Sequence, residues 1–588
     1  MYFFSSLVLA AATASAVVVN VPPTCRCLPS QPCWPSDQTW QALNESVSGR
    51  LITVRPVGWP CHDPTLDSAL CDERKALSTN SSWRREQPGA LQYQNWEALP
   101  SANESCSLQT PSSVPCGQGR VPVYSVVAET VEDIQQAVRF ARDQNLRLMV
   151  KNTGHDFLGR SGAPHSLQIA TFKMRGISFS DDFVPKGAPG GHGLGSTVTA
   201  EAGAILDEIY PAVKEEGKVA VLGAAHTVGA AGGYIQGGGH SPIGSWKGMA
   251  SDNAVEFEVV TADGNLVTAN QYQHQELFWA LRGGGGGTFG VVTKVTLRTF
   301  DEVPTVAVNV TISMPWSPNS SYWQALAVFS SRIPTINDEN CAGYFFLLPK
   351  LPWENYTISV LQMDTLCMDQ SADKVDKLFD SVLAPIRALS DVTVAYNSTL
   401  YPTTNMALDG TLRLGSNYDR TGGPSIMGSR LISRDLLQSS NGGRDVARTI
   451  SQLQTSGGEM ILAHFVAGGQ VTRNADVESG LNPIWRKAAL NVIWTRSWLS
   501  GASAGEIHAV EEQVIREVDK FRSLEPDMGA YLNEANPNEV DFQKSFWGEN
   551  YARLYDIKQK VDARGLFIAR KGVGSEDWDD QGLCRRAV

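Results

Sequence analysis

Three glycine-rich loops constrain the fold of this chain more than any other feature of its sequence. They are KNTGHDFLGRS at 151–161, GGYIQGGGHSPIG at 232–244 and the five glycines of 283–287. Interdomain linkers are also rich in glycine, but these loops lie between clear helix and strand patterns. Glycine lets backbone N–H groups approach a phosphate closely and permits positive φ. Together the three loops predict a site for a large anionic cofactor.

The elements around the first loop form a predicted β-α-β unit. VPVYSVV and LRLMV are strand patterns, and a helix between them has apolar residues at helical spacing. Thr130 and Asp133 can form a capping box at the start of that helix. Ligands of such units collect beyond the carboxyl end of a strand. The loop that carries His155 is therefore expected to face the ligand.

A second set of elements follows the same pattern. STVTAEAG and VAVLG read as strands around the helix AILDEIYPAVKEEG, and NAVEFEVVTADGNLVTA reads as a hairpin turning at Asp263–Gly264. The five-glycine run follows a helix and precedes a strand, which is the reverse of the Rossmann arrangement. A Gly-Lys-Ser/Thr phosphate loop is absent from the sequence. With these two arrangements excluded, the patterns predict an unusual dinucleotide-binding fold.

Four motifs in order resemble one family. They are KNTGHDFLGRS, GGYIQGGGHSPIG, ELFWALRGGGGGTFGVVTKVTL and SFWGENYARLYDIKQKVDARGLF. The chain resembles the FAD-linked oxidases of the vanillyl-alcohol-oxidase type, in their berberine-bridge-enzyme-like branch. The resemblance covers residues 119–301 and 525–580, and the residues between these two ranges resemble the family less closely. The opening CRCLPSQPCWP and the late VGSEDW are similar to secreted fungal members.

The resemblance implies an α+β fold. It places a two-subdomain FAD-binding domain of the PCMH type at 119–301, after a Cys-rich amino-terminal extension at 17–118. A substrate domain at 302–520 is expected to hold an antiparallel sheet covered by helices on one face. The last segment, 521–588, is expected to return to the FAD domain.

His155 has a specific role in the resemblance. The family bonds the histidine of this loop to the 8α-methyl carbon of the flavin, and attachment raises the flavin's reduction potential. The alternative is a histidine that lines the site without a bond. The FAD contacts that the resemblance implies are Lys151, Asn152, Thr153, Gly154, His155, Asp156, Gly159, Gly237, Gly238, Gly239, His240, Ser241, Asn550 and Tyr551.

Many relatives carry a second bond to the flavin, from a cysteine before the Gly-Gly-His loop. The stretch from Val221 to Gly239 contains no cysteine, and Gly232 or Gly233 stands near that position. A single covalent link is therefore expected.

A metal site is not expected. His240 is the other histidine that could have a chemical role, as a metal ligand, but a metal needs three or four ligands. The other histidines besides His155 show no ligand spacing along the chain: His62, His165, His192, His226, His274, His464 and His508. We expect His240 to be a structural or flavin-contacting residue.

The catalytic base follows less directly from the resemblance. Oxidation of a carbinol needs a group that takes the hydroxyl proton. Relatives use a glutamate after a Gly-Gly pair or a tyrosine in a Tyr-x-Asn-Tyr run. This chain has GGQVTRN at 468–474 and AYLNEAN at 530–536. The expected base is Glu534 or Tyr531, and the alternative for Glu534 is a solvated loop carboxylate.

The sequence as a whole predicts a secreted flavoprotein oxidase. We expect hydride transfer from an alcohol, or another activated C–H, to covalent FAD, with O₂ reoxidising the flavin to give H₂O₂. The substrate is expected to be a fungal secondary-metabolite intermediate or a small alcohol. Alternatives are a carbohydrate oxidase, an oxidative cyclase or desaturase of a natural product, and a flavin-binding protein without turnover. A net charge of −12 excludes nucleic acid as a partner.

Several features predict export. Residues 1–16 have the apolar core and the small-residue cleavage pattern of a signal peptide, and ten cysteines suit an oxidising compartment. Cys341 and Cys367 can bridge two strands, while Cys584 needs a distant partner. Glycosylation is expected at the sequons of Asn44, Asn80, Asn103, Asn309, Asn319, Asn355 and Asn397.

Overall fold

The structure is a computed structural model of the chain. It describes residues 24–99, 104–318, 320–412, 421–453, 455 and 457–587. The predicted signal peptide, residues 1–16, and the sequons of Asn103 and Asn319 lie outside the described residues. Within the described part, the chain forms an amino-terminal lobe up to residue 301 and a middle lobe built on one large sheet.

The amino-terminal segment is short helices and one strand held by disulfides. Its core residue Trp40 packs against Tyr124 and Phe140 of the predicted β-α-β unit, with ring centroids 4.3 and 4.9 Å apart. The segment is therefore part of the lobe's packing. Its elements are α1 (Asp37–Ser46), β1 (Leu51–Thr53), α2 (Ser68–Leu77) and α3 (Ser81–Glu86).

The predicted β-α-β unit forms the first sheet. Its elements are β2 (Tyr124–Val127), α4 (Val131–Asp143), β3 (Arg147–Lys151) and β4 (Ser166–Ala170). The strand order is β1-β2-β4-β3, in which β4 lies parallel to both β2 and β3. Thr130 and Asp133 form the expected capping box, and the apolar face of α4 is buried. The carboxyl end of β3 leads directly into the His155 loop.

A second sheet completes the amino-terminal lobe. Its strand order is β5-β6-β10-β8-β9, with β7 paired to β10, and β8 and β9 form the expected hairpin. The elements are β5 (Ile177–Ser180), β6 (Thr197–Glu201), α5 (Leu206–Glu215), β7 (Lys218–Ala220), α6 (Gly244–Lys247), α7 (Ala250–Asn253), β8 (Ala254–Val260), β9 (Leu266–Asn270), α8 (Gln275–Leu281) and β10 (Val291–Asp301).

The middle lobe is built on a seven-stranded antiparallel sheet of order β14-β11-β13-β12-β16-β17-β15. Its elements are β11 (Thr305–Pro315), α9 (Tyr322–Asp338), β12 (Cys341–Trp353), β13 (Tyr356–Met368), α10 (Ala372–Arg387), β14 (Thr393–Tyr401), α11 (Thr404–Leu412), β15 (Ser425–Ser433), α12 (Arg434–Gln438), α13 (Gly442–Ser451), β16 (Ile461–His464), α14 (Gln470–Arg473), β17 (Ala488–Ser497) and α15 (Ala504–Leu524).

The two faces of this sheet differ because alternate residues of a strand point to opposite sides. One face packs its apolar residues against α9, α10, α13 and α15, as the sequence predicted. On the other face, one row of cross-strand neighbours runs through Asp364, Tyr344, His464 and Asn491. That face is turned toward the amino-terminal lobe, where Tyr344 and His464 meet His240.

The last segment returns to the amino-terminal lobe. It contains α16 (Phe542–Trp547) and α17 (Tyr551–Val561), and Phe567 forms a bridge with Leu148 of β3. The buried Lys558 ammonium of α17 donates to the backbone carbonyls of Thr288 and Phe567. The segment thus packs beside the third glycine loop.

Five disulfides use all ten cysteines of the chain. Cys341 and Cys367 join the paired strands β12 and β13, as predicted. The distant partner of Cys584 is Cys25, so this bond ties the two ends of the described chain together. The other pairs are Cys27–Cys33, Cys61–Cys71 and Cys106–Cys116.

The described sequons lie at or near the surface. Asn309, Asn355 and Asn397 are exposed, whereas Asn44 and Asn80 are half-buried. The side-chain oxygens of Asn44 and Asn80 accept backbone N–H bonds from Leu51 and Trp83. In the described part of the chain, no helix has both the length and the apolar character needed to cross a membrane.

Candidate active site

The three glycine loops converge on one cavity in the amino-terminal lobe. Residues of all three line it, among them Gly154, Gly233 and Gly286. A Cβ atom added to Gly286 would lie 2.9 Å from the Cα of Gly233, so the second and third loops touch backbone to backbone. Gly154 has φ +80° and Gly287 has φ +71°, which side chains rarely adopt. Glycine is thus required both for this contact and for these turns.

The loop after β3 is fixed by its own polar side chains. The Asp156 carboxylate accepts the backbone N–H groups of Leu158 at 3.0 Å and Ser161 at 2.6 Å. The Asn152 amide donates to Thr171 Oγ1 at 3.1 Å, while its buried Oδ1 has no hydrogen-bond partner among the described residues. Of the predicted contacts, Asn152, Thr153, Gly154, His155 and Asp156 line the cavity.

His155 lies where this cavity joins a second one. The residues common to both linings include His155, Gly233 and Tyr234. The Nε2 atom of His155 is 2.6 Å from the Thr227 hydroxyl, which fixes the plane of the imidazole. A ligand that extends from the glycine loops into the second cavity must pass this ring.

The second cavity has a volume of about 590 Å³ and lies under the open face of the seven-stranded sheet. The sheet supplies an apolar wall that includes Phe346, Leu462 and Ile493. Tyr93 and Phe157, whose rings are 4.4 Å apart, line another side. The cavity is therefore suited to a small molecule with a large apolar surface.

A buried polar cluster interrupts this apolar lining. His240 Nε2 lies 3.1 Å from Glu534 Oε1, and His464 Nδ1 lies 3.7 Å from Glu534 Oε2. The two imidazole centroids are 4.6 Å apart. His240 and His464 are buried, and Glu534 is half-buried. Glu534 is thus not a solvated loop carboxylate, which was the alternative left open by the sequence.

The electrostatics of the cluster follow from its burial. Burial lowers the pKa of His464 to about 3, so this imidazole is neutral at neutral pH. Burial by itself would raise the pKa of Glu534, but its interaction and hydrogen bond with the adjacent His240 are the main opposing effects, and the net shift holds that pKa below its usual value. The site therefore contains an ionised carboxylate beside a neutral imidazole.

Tyr531 lies beside the cluster and is oriented by two donors. Its hydroxyl accepts the Gly239 N–H at 3.2 Å and the Asn533 amide at 2.8 Å. Arg160 donates to Asn533 at 3.0 Å and to Asp156 at 3.3 Å, which links Tyr531 to the His155 loop. Burial raises the pKa of Tyr531 well above its usual value, so its hydroxyl stays protonated.

The second glycine loop supports these groups from behind. A Cβ atom on Gly237 would lie 2.5 Å from the Asn533 amide, so this glycine makes room for the side chain that orients Tyr531. Gly238 and Gly239 have φ of +118° and +71°, which turn the chain so that His240 enters the cavity. Ser241 is buried and accepts the N–H of Ile243.

Besides Gly237, Gly238, Gly239 and Ser241, four further predicted contacts are absent from both cavity linings. The Lys151 ammonium is buried and donates to the carbonyls of the amino-terminal segment, including Gln87 O at 2.6 Å, because the extension covers this side of β3. Asn550 donates to Leu481 O at 2.7 Å, and the Tyr551 hydroxyl pairs with Glu576. Gly159 is packed against the Trp96 ring, which leaves no room for a side chain. These four residues hold neighbouring segments in place and do not line the two cavities.

Among the lining residues that were not predicted, three have polar side chains on the large sheet. His464, Tyr344 and Asp364 lie in one row on the open face of the sheet. Because their strands are mostly apolar, a polar residue within such a strand is the sequence signal that could have indicated a site residue. His464 ends the run ILAH, and Tyr344 begins the run YFFLL. Without the strand register, nothing in the sequence indicates that these residues face Glu534.

The two joined cavities fit the FAD that the sequence resemblance implies. At their glycine-lined end, the buried side-chain oxygen of Asn152 has no hydrogen-bond partner among the described residues. At the same end, the glycine backbones lie so close together that a Cβ atom would clash. Their other end has aromatic and apolar walls. An elongated dinucleotide with one polar and one aromatic end requires this distribution of groups.

Two family models match the chain. The model described as FAD binding domain matches residues 122–270, and the model described as Berberine and berberine like matches residues 530–574. The first match contains the His155 loop and the second glycine loop. The second match contains Tyr531 and Glu534.

Relatives match over nearly the whole chain. An FAD-linked oxidoreductase of Arthroderma benhamiae is 48% identical over 566 residues, which cover 96% of each chain. The flavin-dependent oxygenase ucdF of Aspergillus ustus is 40% identical over 93% of this chain and 98% of its own. The crystal structure of the VAO-type flavoprotein MtVAO615 of Myceliophthora thermophila C1 superposes with a TM-score of 0.85, at 30% identity, over 96% of this chain and 100% of its own. The chain belongs to the VAO-type, berberine-bridge-like family of FAD-linked oxidoreductases.

Proposed function

We propose that this FAD-linked oxidoreductase is an oxidase that acts on an alcohol, or another activated C–H bond, of a small apolar molecule and uses O₂ as the final acceptor. The observation that carries the proposal is the position of the Glu534 carboxylate, 3.1 Å from His240, in a largely apolar cavity that joins the glycine-lined one at His155. FAD, when bound, accepts hydride and passes the electrons to O₂, which yields H₂O₂.

In this proposal FAD is attached through His155. The position of the imidazole at the junction of the two cavities supports the attachment, and its hydrogen bond to Thr227 holds the ring in one orientation. A second link would need a free thiol, and all ten cysteines form disulfides. The attachment is therefore a single covalent bond.

Glu534 takes the proton of the substrate hydroxyl. Its carboxylate is held 3.1 Å from His240, in the cavity that would hold the substrate. Tyr531 remains protonated because burial raises its pKa, which outweighs the opposing effect of the two hydrogen bonds that its oxygen accepts. The tyrosine then orients the substrate oxygen as a donor, and the glutamate is the acceptor.

The substrate class follows from the cavity walls. Phe346, Leu462 and Ile493 form an apolar wall that gives no hydrogen bonds to a sugar, although Asp364, Thr411 and Thr421 of the same lining can form them. The same walls favour an intermediate of secondary metabolism with fused or aromatic rings. They also support a second candidate activity, oxidative cyclisation or desaturation of such a molecule, because that reaction needs a shaped apolar pocket.

The protein is proposed to act outside the cytosol. Five disulfides, one of which ties Cys25 to Cys584, are compatible with an oxidising compartment. The exposed sequons of Asn309, Asn355 and Asn397 support a glycosylated surface. Glycosidase treatment of the native protein should lower its apparent mass.

A substrate screen with two variants tests the proposal. Purified protein is mixed anaerobically with alcohols, oligosaccharides and aromatic intermediates, and loss of the yellow flavin absorbance identifies a substrate. Oxygen should then restore the colour and release H₂O₂. With that substrate, Glu534→Gln should lower kcat by about 10²- to 10⁴-fold. The matched control is Asp364→Asn, which removes the other carboxylate that lines the cavity and should leave kcat within a few fold.

Two results would count against the proposal. If no compound bleaches the flavin, a flavin-binding protein without turnover becomes the better account. If Asp364→Asn lowers kcat as far as Glu534→Gln, the loss is not specific to Glu534, and its assignment as the proton acceptor fails.

A further inference from the structure

The polar cluster of the second cavity has the composition of a metal site. One nitrogen of His240, one of His464 and one carboxylate oxygen of Glu534 all lie within 4.8 Å of one another. Two imidazoles and a carboxylate are a ligand set used by Zn²⁺ and by non-haem iron. Three separate segments supply the residues: the second glycine loop, the end of β16 and a short 3₁₀ turn at Leu532–Glu534.

The spacing of the ligand atoms fits a small divalent ion. In a tetrahedral zinc site, bonds of about 2.1 Å place neighbouring ligand atoms about 3.4 Å apart. The carboxylate of Glu534 lies 3.1 Å from His240 Nε2 and 3.7 Å from His464 Nδ1. These two distances end on different carboxylate oxygens, and one ligand atom from each residue lies within 4.8 Å of the other two. An ion can therefore be bound once the widest pair closes by at most about 1.4 Å toward the tetrahedral spacing.

Unpartnered polar atoms at the same place supply an independent argument. His464 Nδ1 and Glu534 Oε2 are buried without a hydrogen-bond partner among the described residues. The same holds for the Tyr344 hydroxyl and for both amide atoms of Asn491, which flank His464 on the neighbouring strands. Buried polar groups in native proteins are nearly always paired. A cation with its bound water would satisfy several of these groups at once.

We propose that His240, His464 and Glu534 bind one divalent transition-metal ion, with Zn²⁺ as the probe, and that the remaining coordination position opens into the substrate cavity. The metal-binding claim stands on the geometry of the three side chains. Its consequence for turnover rests on the proposed function. A carboxylate that ligates the ion cannot accept the substrate proton, so Zn²⁺ should inhibit turnover.

Direct binding measurements test the site. Tag-free, flavin-loaded protein is stripped with a chelator, dialysed and titrated with Zn²⁺ against a chromophoric competitor. We expect one Zn²⁺ per chain, and we expect His464→Asn and Glu534→Gln each to weaken binding by at least about 100-fold. The matched control is His508→Ala, which removes an exposed histidine 4.0 Å from Glu511 on α15 and should leave binding unchanged. An unchanged ratio of flavin to protein absorbance shows that the variants are folded.

The outcomes separate the two proposals. Wild-type binding far below one ion per chain, or equal binding by wild type, His464→Asn and Glu534→Gln, overturns the metal site. If Zn²⁺ binds through these residues without inhibiting turnover, the metal site stands and Glu534 is not the proton acceptor. If Zn²⁺ does not bind while Glu534→Gln abolishes turnover, the metal site falls and the proposed function stands.

Discussion

The segment that carries Tyr531 and Glu534 depends on a buried ion pair outside the cavity. Arg430 of β15 donates to Glu539 Oε1 at 2.9 Å, and both side chains are at most 3% exposed. Arg430 also donates to Met528 O, and the adjacent Leu431 N–H donates to Gly529 O at 3.0 Å. Glu539 thus fixes the arginine that holds the start of the segment with Tyr531 and Glu534 to the sheet.

Replacing Glu539 by Gln should release this segment. The change keeps the shape of the side chain but leaves Arg430 as a buried, unpaired charge, which costs about 3 to 5 kcal/mol. For a chain of 588 residues this corresponds to a fall in Tm of roughly 2 to 4 °C. If the segment opens locally, a fall of about 3 kcal/mol in its opening free energy speeds hydrogen exchange at the amides of Ala530 and Glu534 by about 150-fold.

A second buried pair provides the matched control. Arg496 of β17 donates to Glu517 of α15 at 2.9 Å, on the helix-covered face of the sheet. Glu517→Gln should lower Tm by a similar amount but speed exchange in α15 and β17, with the 528–536 segment left unchanged. Hydrogen exchange read by mass spectrometry distinguishes the two. Equal acceleration of 528–536 in both variants, or none in Glu539→Gln, would refute the reasoning.

Two further predictions concern stability. The Cys25–Cys584 bond closes a loop with a sequence separation of 559, so its removal by a double Cys→Ser change should cost about 6 kcal/mol if disulfides act through chain entropy. Removal of Cys27–Cys33, with a separation of 6, should cost less than half as much, and equal falls in Tm for the two pairs would contradict the chain-entropy explanation. Burial lowers the pKa of Lys151 to about 7 from 10.5. Between about pH 7 and 10 the unfolded chain therefore binds one more proton than the folded chain, so the free energy of unfolding of the wild type should rise with pH relative to that of Lys151→Met. Parallel pH profiles for the two proteins would show that the lysine is charged when folded.

Much of the amino-terminal lobe could be predicted from the sequence, because its signals are local. The capping box of Thr130 and Asp133, the hairpin at Asp263–Gly264 and the strand before the His155 loop all depend on neighbouring residues. The pairing of Cys341 with Cys367 was also within reach, since both lie in strands. Periodicity and turn chemistry determine such features.

The polar cluster could not be predicted in the same way. His240, His464 and Glu534 are far apart in the sequence, and the register of β16 in the sheet is what brings His464 toward the other two. The absence of ligand spacing along the chain therefore did not exclude a metal site. For Lys151 the sequence motif was misleading. Its place beside the loop motif suggested a cofactor contact, but its side chain points into the amino-terminal segment.

The proposed attachment of FAD at His155 alone can be tested by peptide mapping of the denatured wild-type protein by mass spectrometry, with His155→Ala prepared in parallel. We expect one FAD on the peptide that contains His155, no flavin on any cysteine peptide, and release of all flavin from His155→Ala on acid precipitation. Flavin that stays covalently bound in His155→Ala, or wild-type flavin that is fully released by acid, would contradict the account.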